Sequence, residues 1–294
     1  NTAFSVWNQR KTKFEVIAIS RVINALVNKA YILFMGLIGF ATTGSLIIGS
    51  LIGLGTMTLV QIVPFIKKKI IFPQFDQIRT QFILYKKFPL YIMSSDLLFR
   101  LTSTVTFILF VYYFSEAEAG YYGMAMMIAG VPAVLIGTAI GEVFYQKAAA
   151  EKRNKNNKLV YIELFKKLYK ISFFSFAVLA LLSSELFSIF LGPEWEQAGN
   201  FTRILCFQMF ISFIMIPIIN LAKIYNKQEY TFIEQLLVLI SSSLSIYFGG
   251  ILNNINIALI LLSLSTGFIN LFFGLIIFQF VGISFSKILG IIIK

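Results

Sequence analysis

Long apolar runs separated by short polar segments dominate the pattern of this sequence. Eight runs are long and mostly apolar, and they span approximately residues 17–40, 45–66, 88–114, 119–146, 171–192, 200–222, 230–250 and 255–281. About 20 such residues cross the hydrocarbon core of a bilayer as an α-helix. The pattern therefore predicts an all-α integral membrane protein, a polytopic bundle of about eight transmembrane helices that leaves no room for a soluble domain.

The basic residues fall in alternate loops. Of the 25 Lys and Arg residues, 21 lie in five segments, at 10–13, 67–87, 147–170, 223–227 and 287–294. No basic residue occurs in the intervening turns, at 41–44, 115–118, 193–199 and 250–254. Because Lys- and Arg-rich loops resist translocation, we expect a multi-pass protein of the cell inner membrane with its basic loops in the cytoplasm.

Composition supports the same class. Hydrophobic residues make up 58% of the chain and charged residues 13%, whereas soluble domains have about 45–50% and 25%. The net charge of +12 lies in the loops, where it sets topology and meets anionic membrane lipids, so nucleic acid is not expected as a partner. The chain has one cysteine, Cys206, and no histidine, which argues against an enzyme and against a metal or other cofactor.

The longest polar interruptions divide the chain into segments. The segment 67–87 contains Pro73 and six basic residues, and its amphipathic pattern is typical of a linker on the cytoplasmic surface. Small residues suit close helix contact in the run before it, where Gly49 and Gly53 form a G-x-x-x-G pattern that allows two backbones to approach.

Charged residues inside the apolar runs are the candidates for function, because charge within a membrane is costly and usually marks a pathway. Asp96 and Arg100 are four residues apart, hence on one helix face and able to pair. Ser103 and Thr104 continue that face. This polar stripe suits a water-filled cavity, and the alternative is a structural ion pair that locks two helices.

The first run shows a similar polar face. Arg21, Asn24 and Asn28 follow at i, i+3 and i+7, with Lys29 adjacent. Arg21 is close enough to the cytoplasmic end to snorkel, whereas Lys29 lies nearer the middle, and we expect it to face a cavity. Arg203 lies near the outer end of the sixth run.

Together these residues give the bundle a mildly cationic interior, which suits an anionic substrate. The candidates for substrate binding are Lys29, Arg100, Asp96, Arg21 and Arg203. Glu142, in the fourth run, is a candidate for gating or proton coupling, and the alternative is an interfacial carboxylate paired with Lys147. No second acid forms a catalytic pair with Asp96, so no catalytic residue is expected.

Three stretches of the chain resemble one known family. The stretch 115–150 resembles the flippases that export lipid-linked polysaccharide repeat units in bacteria. The matching positions are Gly120, Tyr122, Ala125, Pro132, Leu135, Ile136, Gly137, Val143, Phe144, Gln146 and Ala148. Residues 191–199 (LGPEWEQAG) are similar to the outer turn of that family, and residues 8–11 with 20–22 are similar to its fourth-to-fifth helix junction. The resemblance covers nearly the whole chain.

The resemblance implies the fold of the multidrug/oligosaccharidyl-lipid/polysaccharide exporters, in which two pseudo-symmetric six-helix lobes surround a central cavity in a 12-helix transporter. Helices 1 to 4 of that fold would precede Asn1, so we expect the chain to be N-terminally truncated. The implied segments are the end of the N-terminal lobe (1–66, with the tail of helix 4 and helices 5 and 6), an inter-lobe linker (67–87), a complete C-terminal lobe (88–281) and a cytoplasmic tail (282–294).

The resemblance also implies a transporter rather than an enzyme. Its substrate would be an undecaprenyl-diphosphate-linked oligosaccharide, moved across the bacterial inner membrane by alternating access for O-antigen, capsule or exopolysaccharide synthesis. The diphosphate would meet the cations named above, with either H+ or Na+ as the coupling ion. A polysaccharide polymerase and a chain-length regulator are the expected partners.

Three alternatives stay open at this stage. A cation-coupled multidrug antiporter of the same superfamily would have the same fold with a more acidic and aromatic cavity. A membrane-embedded polysaccharide polymerase or glycosyltransferase would need a large outer loop or a catalytic acid. A purely structural membrane scaffold would not need polar stripes on two helices.

The alternation of basic loops predicts the topology directly. Reporters fused after Lys87, Lys158 and Lys227 are expected to stay in the cytoplasm, and reporters at Glu118 and Gln197 to face outward, because the basic segments resist translocation. Alkaline phosphatase and fluorescent-protein fusions measure the two locations. A cytoplasmic signal from position 118 or 197 would show that the helix count is wrong by one.

Overall fold

The computed structural model describes residues 4–5, 7–8, 13–40, 42–66, 75–132, 158–283 and 290, and within these ranges every regular element is a helix. Seven of the described helices are long and apolar enough to cross a membrane, and each coincides with a predicted apolar run. The remaining predicted run, 119–146, is described only as far as Pro132. The protein is an all-α polytopic membrane protein, as its hydropathy pattern predicts.

The helices follow one another along the chain with short connections where both ends are described. In chain order they are α1 (Phe14–Leu37), α2 (Thr43–Ile66), α3 (Phe75–Tyr85), a π-helical turn (Phe88–Met93), α4 (Ser94–Tyr113), α5 (Glu116–Pro132), α6 (Lys158–Leu191), α7 (Glu196–Ile219), α8 (Gln228–Ile251) and α9 (Ile255–Phe280). Short 3-10 turns at Pro193–Trp195 and Asn220–Lys223 flank α7.

The chain divides into two compact units, residues 1–81 and 82–294. The boundary lies within the segment expected to link two lobes, and α3 occupies part of that segment. The second unit contains α4 to α9. The assignment of the units to the lobes of a larger transporter stays a prediction.

In the first unit, α1 and α2 form an antiparallel pair held by close backbone approach. A Cβ added at Gly49 would lie 3.0 Å from the ring of Tyr31, and one added at Gly53 would lie 3.0 Å from the backbone oxygen of Asn24. Both glycines are buried. The G-x-x-x-G pattern therefore serves helix contact, because a larger side chain at either position would push the two backbones apart.

A buried amide ties the start of the first unit to both of its long helices. Gln61 of α2 is fully buried, and its Nε2 donates to the hydroxyl of Ser20 on α1 at 2.9 Å. Its Oε1 accepts from the hydroxyl of Ser5 at 2.9 Å, and its backbone oxygen accepts from Nδ2 of Asn8 at 3.1 Å. Both polar atoms of this side-chain amide therefore have a hydrogen-bond partner, which offsets part of the cost of burying them.

In the second unit, α7 is the central helix and packs against α5, α6 and α9, while α8 packs against α4 and α9. Glycines again mark the closest approaches. A Cβ at Gly199 would lie 2.6 Å from the backbone oxygen of Ser183 on α6, and one at Gly274 of α9 would lie 2.5 Å from Sδ of Met215 on α7. Gly199 cannot be replaced without a shift of α6, because it meets backbone, whereas a larger residue at Gly274 would displace the side chain of Met215.

Serine and asparagine side chains join α7 to α9 at the places where the glycines bring them together. The hydroxyl of Ser263 donates to the backbone oxygen of Ile204 at 2.8 Å, and Nδ2 of Asn270 donates to the hydroxyl of Ser212 at 2.7 Å. Interhelical hydrogen bonds of this kind stabilise helix packing in lipid by about 0.6–2 kcal/mol each.

The contact between α8 and α9 gives a stability prediction. A Cβ at Gly249 would lie 2.6 Å from Cα of Ala258, so Gly249→Ala should destabilise the protein by about 1–3 kcal/mol through overpacking. The measurement is thermal unfolding in detergent, read by maleimide labelling of Cys206, which is buried until the protein unfolds.

The matched control is Gly120→Ala on α5, where no atom lies within 4 Å of an added Cβ. This change should leave the unfolding temperature unchanged or raise it, because alanine favours a helix over glycine by about 1 kcal/mol. Equal unfolding temperatures for wild type and Gly249→Ala would contradict the packing argument.

Candidate functional site

The polar stripe of α4 lies on the exposed side of the second unit. Asp96, Arg100, Ser103 and Thr104 are all exposed, whereas Ser95, Thr106 and Phe110 of the same helix are buried. Helical spacing predicts this arrangement, since residues at i, i+4, i+7 and i+8 share a face. The helices of the second unit therefore leave this stripe uncovered.

Asp96 and Arg100 do not pair with each other. The ion pairs recorded among the described residues are Lys87–Glu229, Lys167–Glu163 and Arg203–Glu185. The structural ion pair considered from the sequence is thus not formed in this structure. Two separate charges on a transmembrane helix are too costly to face lipid, so this side of α4 requires water or a polar partner.

The cations of α1 are also exposed, but the asparagines expected beside them are not part of the same surface. Arg21 and Lys29 are both exposed. Asn24 and Asn28 turn toward α2, where Nδ2 of Asn24 donates to Sδ of Met57 at 3.8 Å and Asn28 lies against Gly49. The structure therefore corrects the predicted polar face of the first run, because its two amides serve helix packing.

Arg203 has a local partner. Its Nη2 lies 3.7 Å from Oε2 of Glu185 on α6 and donates to the backbone oxygen of Leu181 at 3.4 Å. Both charged side chains are exposed, and such pairs contribute about 0.2–1 kcal/mol. This contact gives Arg203 a structural task between α6 and α7, and its role in substrate binding stays a prediction.

One predicted site residue, Glu142, lies outside the described residues. Its role in gating or coupling stays a prediction.

The structure adds a charged residue that the sequence reasoning missed. Glu234 lies on α8 and is buried, with 2% of its surface exposed. Its Oε2 accepts a hydrogen bond of 2.8 Å from Nε2 of Gln235. The signal was available, because Glu234 stands inside the apolar run 230–250 and the cost of charge in a membrane applies to it as it does to Asp96.

The start of α8 is held to the start of the α4 span. Nζ of Lys87 lies 3.5 Å from Oε2 of Glu229 and donates to the backbone oxygen of Asn226 at 3.3 Å. The rings of Tyr91 and Phe232 meet edge to face at 6.2 Å. These contacts position the π-helical turn that precedes the polar stripe.

Comparison with protein families gives one match. Residues 3–200 match the model of a family described as polysaccharide biosynthesis protein. The match covers more than half of the 294 residues, and it includes α1 and the polar stripe of α4. No curated protein and no solved structure matches the chain.

The exposed stripe gives a prediction about water. In a Cys206→Ala background, Ser103→Cys should react with a membrane-impermeant maleimide on the order of tenfold faster than Leu101→Cys, because a thiol must ionise to react and does so only in water. Ser103 and Leu101 are two residues apart on α4, and both are exposed in the structure. Labelling is measured in membrane vesicles by a gel shift.

Leu101→Cys is the matched control, since it has the same depth but lies on the apolar side of the helix. If both variants were labelled at the same rate, the polar stripe would be no more accessible to water than the apolar side of α4, and the prediction would be wrong.

Proposed function

The chain belongs to the polysaccharide biosynthesis protein family, and from this premise we propose that it is a flippase for a lipid-linked oligosaccharide. The substrate class is an undecaprenyl-diphosphate-linked repeat unit, and the step is its transfer across the bacterial inner membrane for O-antigen, capsule or exopolysaccharide synthesis. The protein acts as a transporter and not as an enzyme.

The observation that carries the proposal is the exposed polar stripe of α4, in which Asp96 and Arg100 form no ion pair with any described residue. Asp96 and Arg100 stand in a helix that is otherwise apolar and long enough to cross the membrane. A charged residue retained at such a position marks a substrate or ion pathway by default. A sugar chain needs a hydrated path, and this stripe offers hydroxyl and charged groups along one side.

The sign of the charge favours an anionic substrate. Arg100, Lys29 and Arg21 are exposed cations in transmembrane helices, and Asp96 is the acid among the described stripe residues. Arginine grips two phosphate oxygens at once through its planar guanidinium group. We therefore propose Arg100 and Lys29, each within its own unit, as candidates to bind the diphosphate of the lipid carrier, with Arg21 and Arg203 as secondary candidates.

The remaining features of the proposal follow from the loops and from the resemblance. The basic loops lie in the cytoplasm, and two lobes of a larger transporter alternate their access to the two sides of the membrane. H+ or Na+ drives the step. The polyprenyl tail stays in lipid. The expected partners are a polysaccharide polymerase, which uses the transported repeat unit, and a chain-length regulator.

The alternatives have less support. A multidrug antiporter for lipophilic cations would be served by carboxylates rather than by Arg100 and Lys29. A polymerase needs a sizeable outer loop, but the expected outward connections in the described part are short, since two residues join α4 to α5 and three join α8 to α9.

Substitution of the two cations tests the proposal. Lys29→Gln and Arg100→Gln should each abolish surface polysaccharide in a flippase-null strain carrying the full-length protein, because the diphosphate loses its counter-charge. Arg100→Lys should retain only part of the activity, since lysine keeps the charge without the planar fork. Surface polysaccharide is measured by gel, with protein level checked by immunoblot.

Lys167→Gln provides the control, because Lys167 is an exposed cation that pairs with Glu163 one turn away on α6. This variant should complement fully. Normal surface polysaccharide from a Lys29→Gln, Arg100→Gln double variant would show that transport does not need these two charges. That result would contradict the proposal.

A further inference from the structure

Helix α6 is longer than a bilayer core requires, and its first turns carry charge. Its 34 residues extend about 51 Å, whereas the hydrocarbon core is about 30 Å thick. One face of the first turns is buried in the core of the second unit, at Tyr161, Leu164, Phe165 and Leu168. The opposite face exposes Glu163, Lys166, Lys167 and Lys170. Helix α6 therefore has an exposed, charged surface at the end where it begins.

The charged part of this surface is followed directly by an apolar part. Phe173 and Phe174 follow Lys170 on the same side of the helix, and they are 51% and 70% exposed. From Phe173 to Leu191 the helix rises about 27 Å, which matches the thickness of the hydrocarbon core. The α-carbons of Lys170 and Lys166 therefore lie about 4.5 and 10 Å beyond that core, so their flexible side chains reach the headgroup layer.

A row of aromatic rings lies at the boundary between the two parts. The ring of Tyr169 stacks on those of Phe165 and Phe173, with centroids 6.3 and 6.2 Å apart. It also meets the ring of Phe210 on α7 edge to face at 6.0 Å. Tyrosine is enriched at the membrane–water interface because its ring is apolar and its hydroxyl is polar. The row therefore holds this turn of α6 at the level where headgroups meet acyl chains.

Two lysines of this surface form no ion pair with any described residue. Lys167 pairs with Glu163 at 3.2 Å, whereas Lys166 and Lys170 occur in none of the ion pairs between described residues. Residues 161–170 contain three lysines and one glutamate, so their net charge is +2. Lysines at the level of the headgroups attract anionic lipids.

We propose that the exposed face of α6 between Lys166 and Phe174 binds an anionic phospholipid, in the leaflet at the end where α6 begins. Lys166 and Lys170 hold the phosphate, and the rings of Phe173 and Phe174 pack against the acyl chains. Charge selects the lipid, because a zwitterionic headgroup brings its own cation and gains less from a surface of net charge +2. The site is independent of the proposed flippase activity and of the orientation of the chain in the membrane.

An acidic protein or a free phosphate ion explains less of this surface. Either would meet the lysines, but neither would cover Phe173 and Phe174 on the same face. A lipid occupies both parts at once, with its headgroup on the charged part and its chains on the apolar part. A lipid-linked diphosphate shares this chemistry, so it enters the experiment as a competitor.

Quenching of a tryptophan placed on this face measures the binding. In a background with Trp7→Phe and Trp195→Phe, which removes both natural tryptophans, Phe174→Trp serves as the reporter. The full chain is reconstituted in vesicles of phosphatidylcholine and phosphatidylglycerol, with one of the two lipids carrying brominated acyl chains. Each unpaired lysine should give about a fivefold preference for phosphatidylglycerol, the factor that corresponds to about 1 kcal/mol.

Two variants should change this preference in opposite directions. Lys166→Gln with Lys170→Gln should bring it to about one, since the remaining pair of Lys167 with Glu163 is neutral. Glu163→Gln frees Lys167 and should raise the preference about fivefold, a gain that a folding defect would not produce. Protection of buried Cys206 from maleimide shows that each variant is folded.

Ile189→Trp is the matched reporter at the other end of α6. Ile189 is 76% exposed, and the charged residue near it, Glu185, pairs with Arg203, so this reporter should show no preference between the lipids. Equal quenching by both lipids at position 174, or a preference there that survives loss of both lysines, would overturn the site. Displacement of brominated phosphatidylglycerol by a small mole fraction of a polyprenyl diphosphate would overturn it in favour of the lipid-linked diphosphate.

Discussion

Helices in a bilayer gain little from hiding apolar side chains from one another, because the surrounding lipid is equally apolar. Their association depends on how closely two backbones can approach and on the hydrogen bonds that close approach permits. In this protein the approach is made at glycine in both units, at Gly53 against Asn24 and at Gly199 against Ser183. Between α7 and α9 a further glycine approach, at Gly274 against Met215, accompanies the hydrogen bonds of Ser263 and Asn270.

The number and type of helices could be read from hydropathy, because the bilayer sets both the length and the composition of a span. The helix ends could be read less well. The fifth predicted run began at residue 171, but α6 begins at Lys158. Its first turns bury Tyr161, Leu164 and Phe165 while exposing Lys166 and Lys167. Averaged hydropathy detects only the part of a helix that contacts lipid. The alternation of buried apolar and exposed basic residues at the start of α6 marks a part that contacts protein. The π-helical turn before α4 has no comparable signal.

The candidate site was predictable only in part, since sequence shows that a face is polar but not what covers it. Helical spacing grouped Asp96 with Arg100 correctly on one face, yet spacing that permits a pair does not create one. Asn24 and Asn28 look equally functional in the sequence, and only the contact with α2 shows that they serve packing. Glu234 lies in an apolar run, and the sequence does not show that its side chain is buried where α8 packs against α4 and α9.

The short turn between α8 and α9 bears on how this part of the protein enters the membrane. A helix carrying Glu234, Gln228 and Gln235 is a poorer substrate for insertion by itself than an apolar helix, since acidic residues within a span are costly on insertion scales. Only residues 252–254 separate it from α9, which has no charge and is capped by Asn254 through its bond to the amide of Ile257 at 3.2 Å. The close fit of Gly249 on Ala258 allows the two segments to pair as one helical hairpin. Insertion as such a hairpin would tie the entry of the polar helix into the membrane to the apolar helix that follows it.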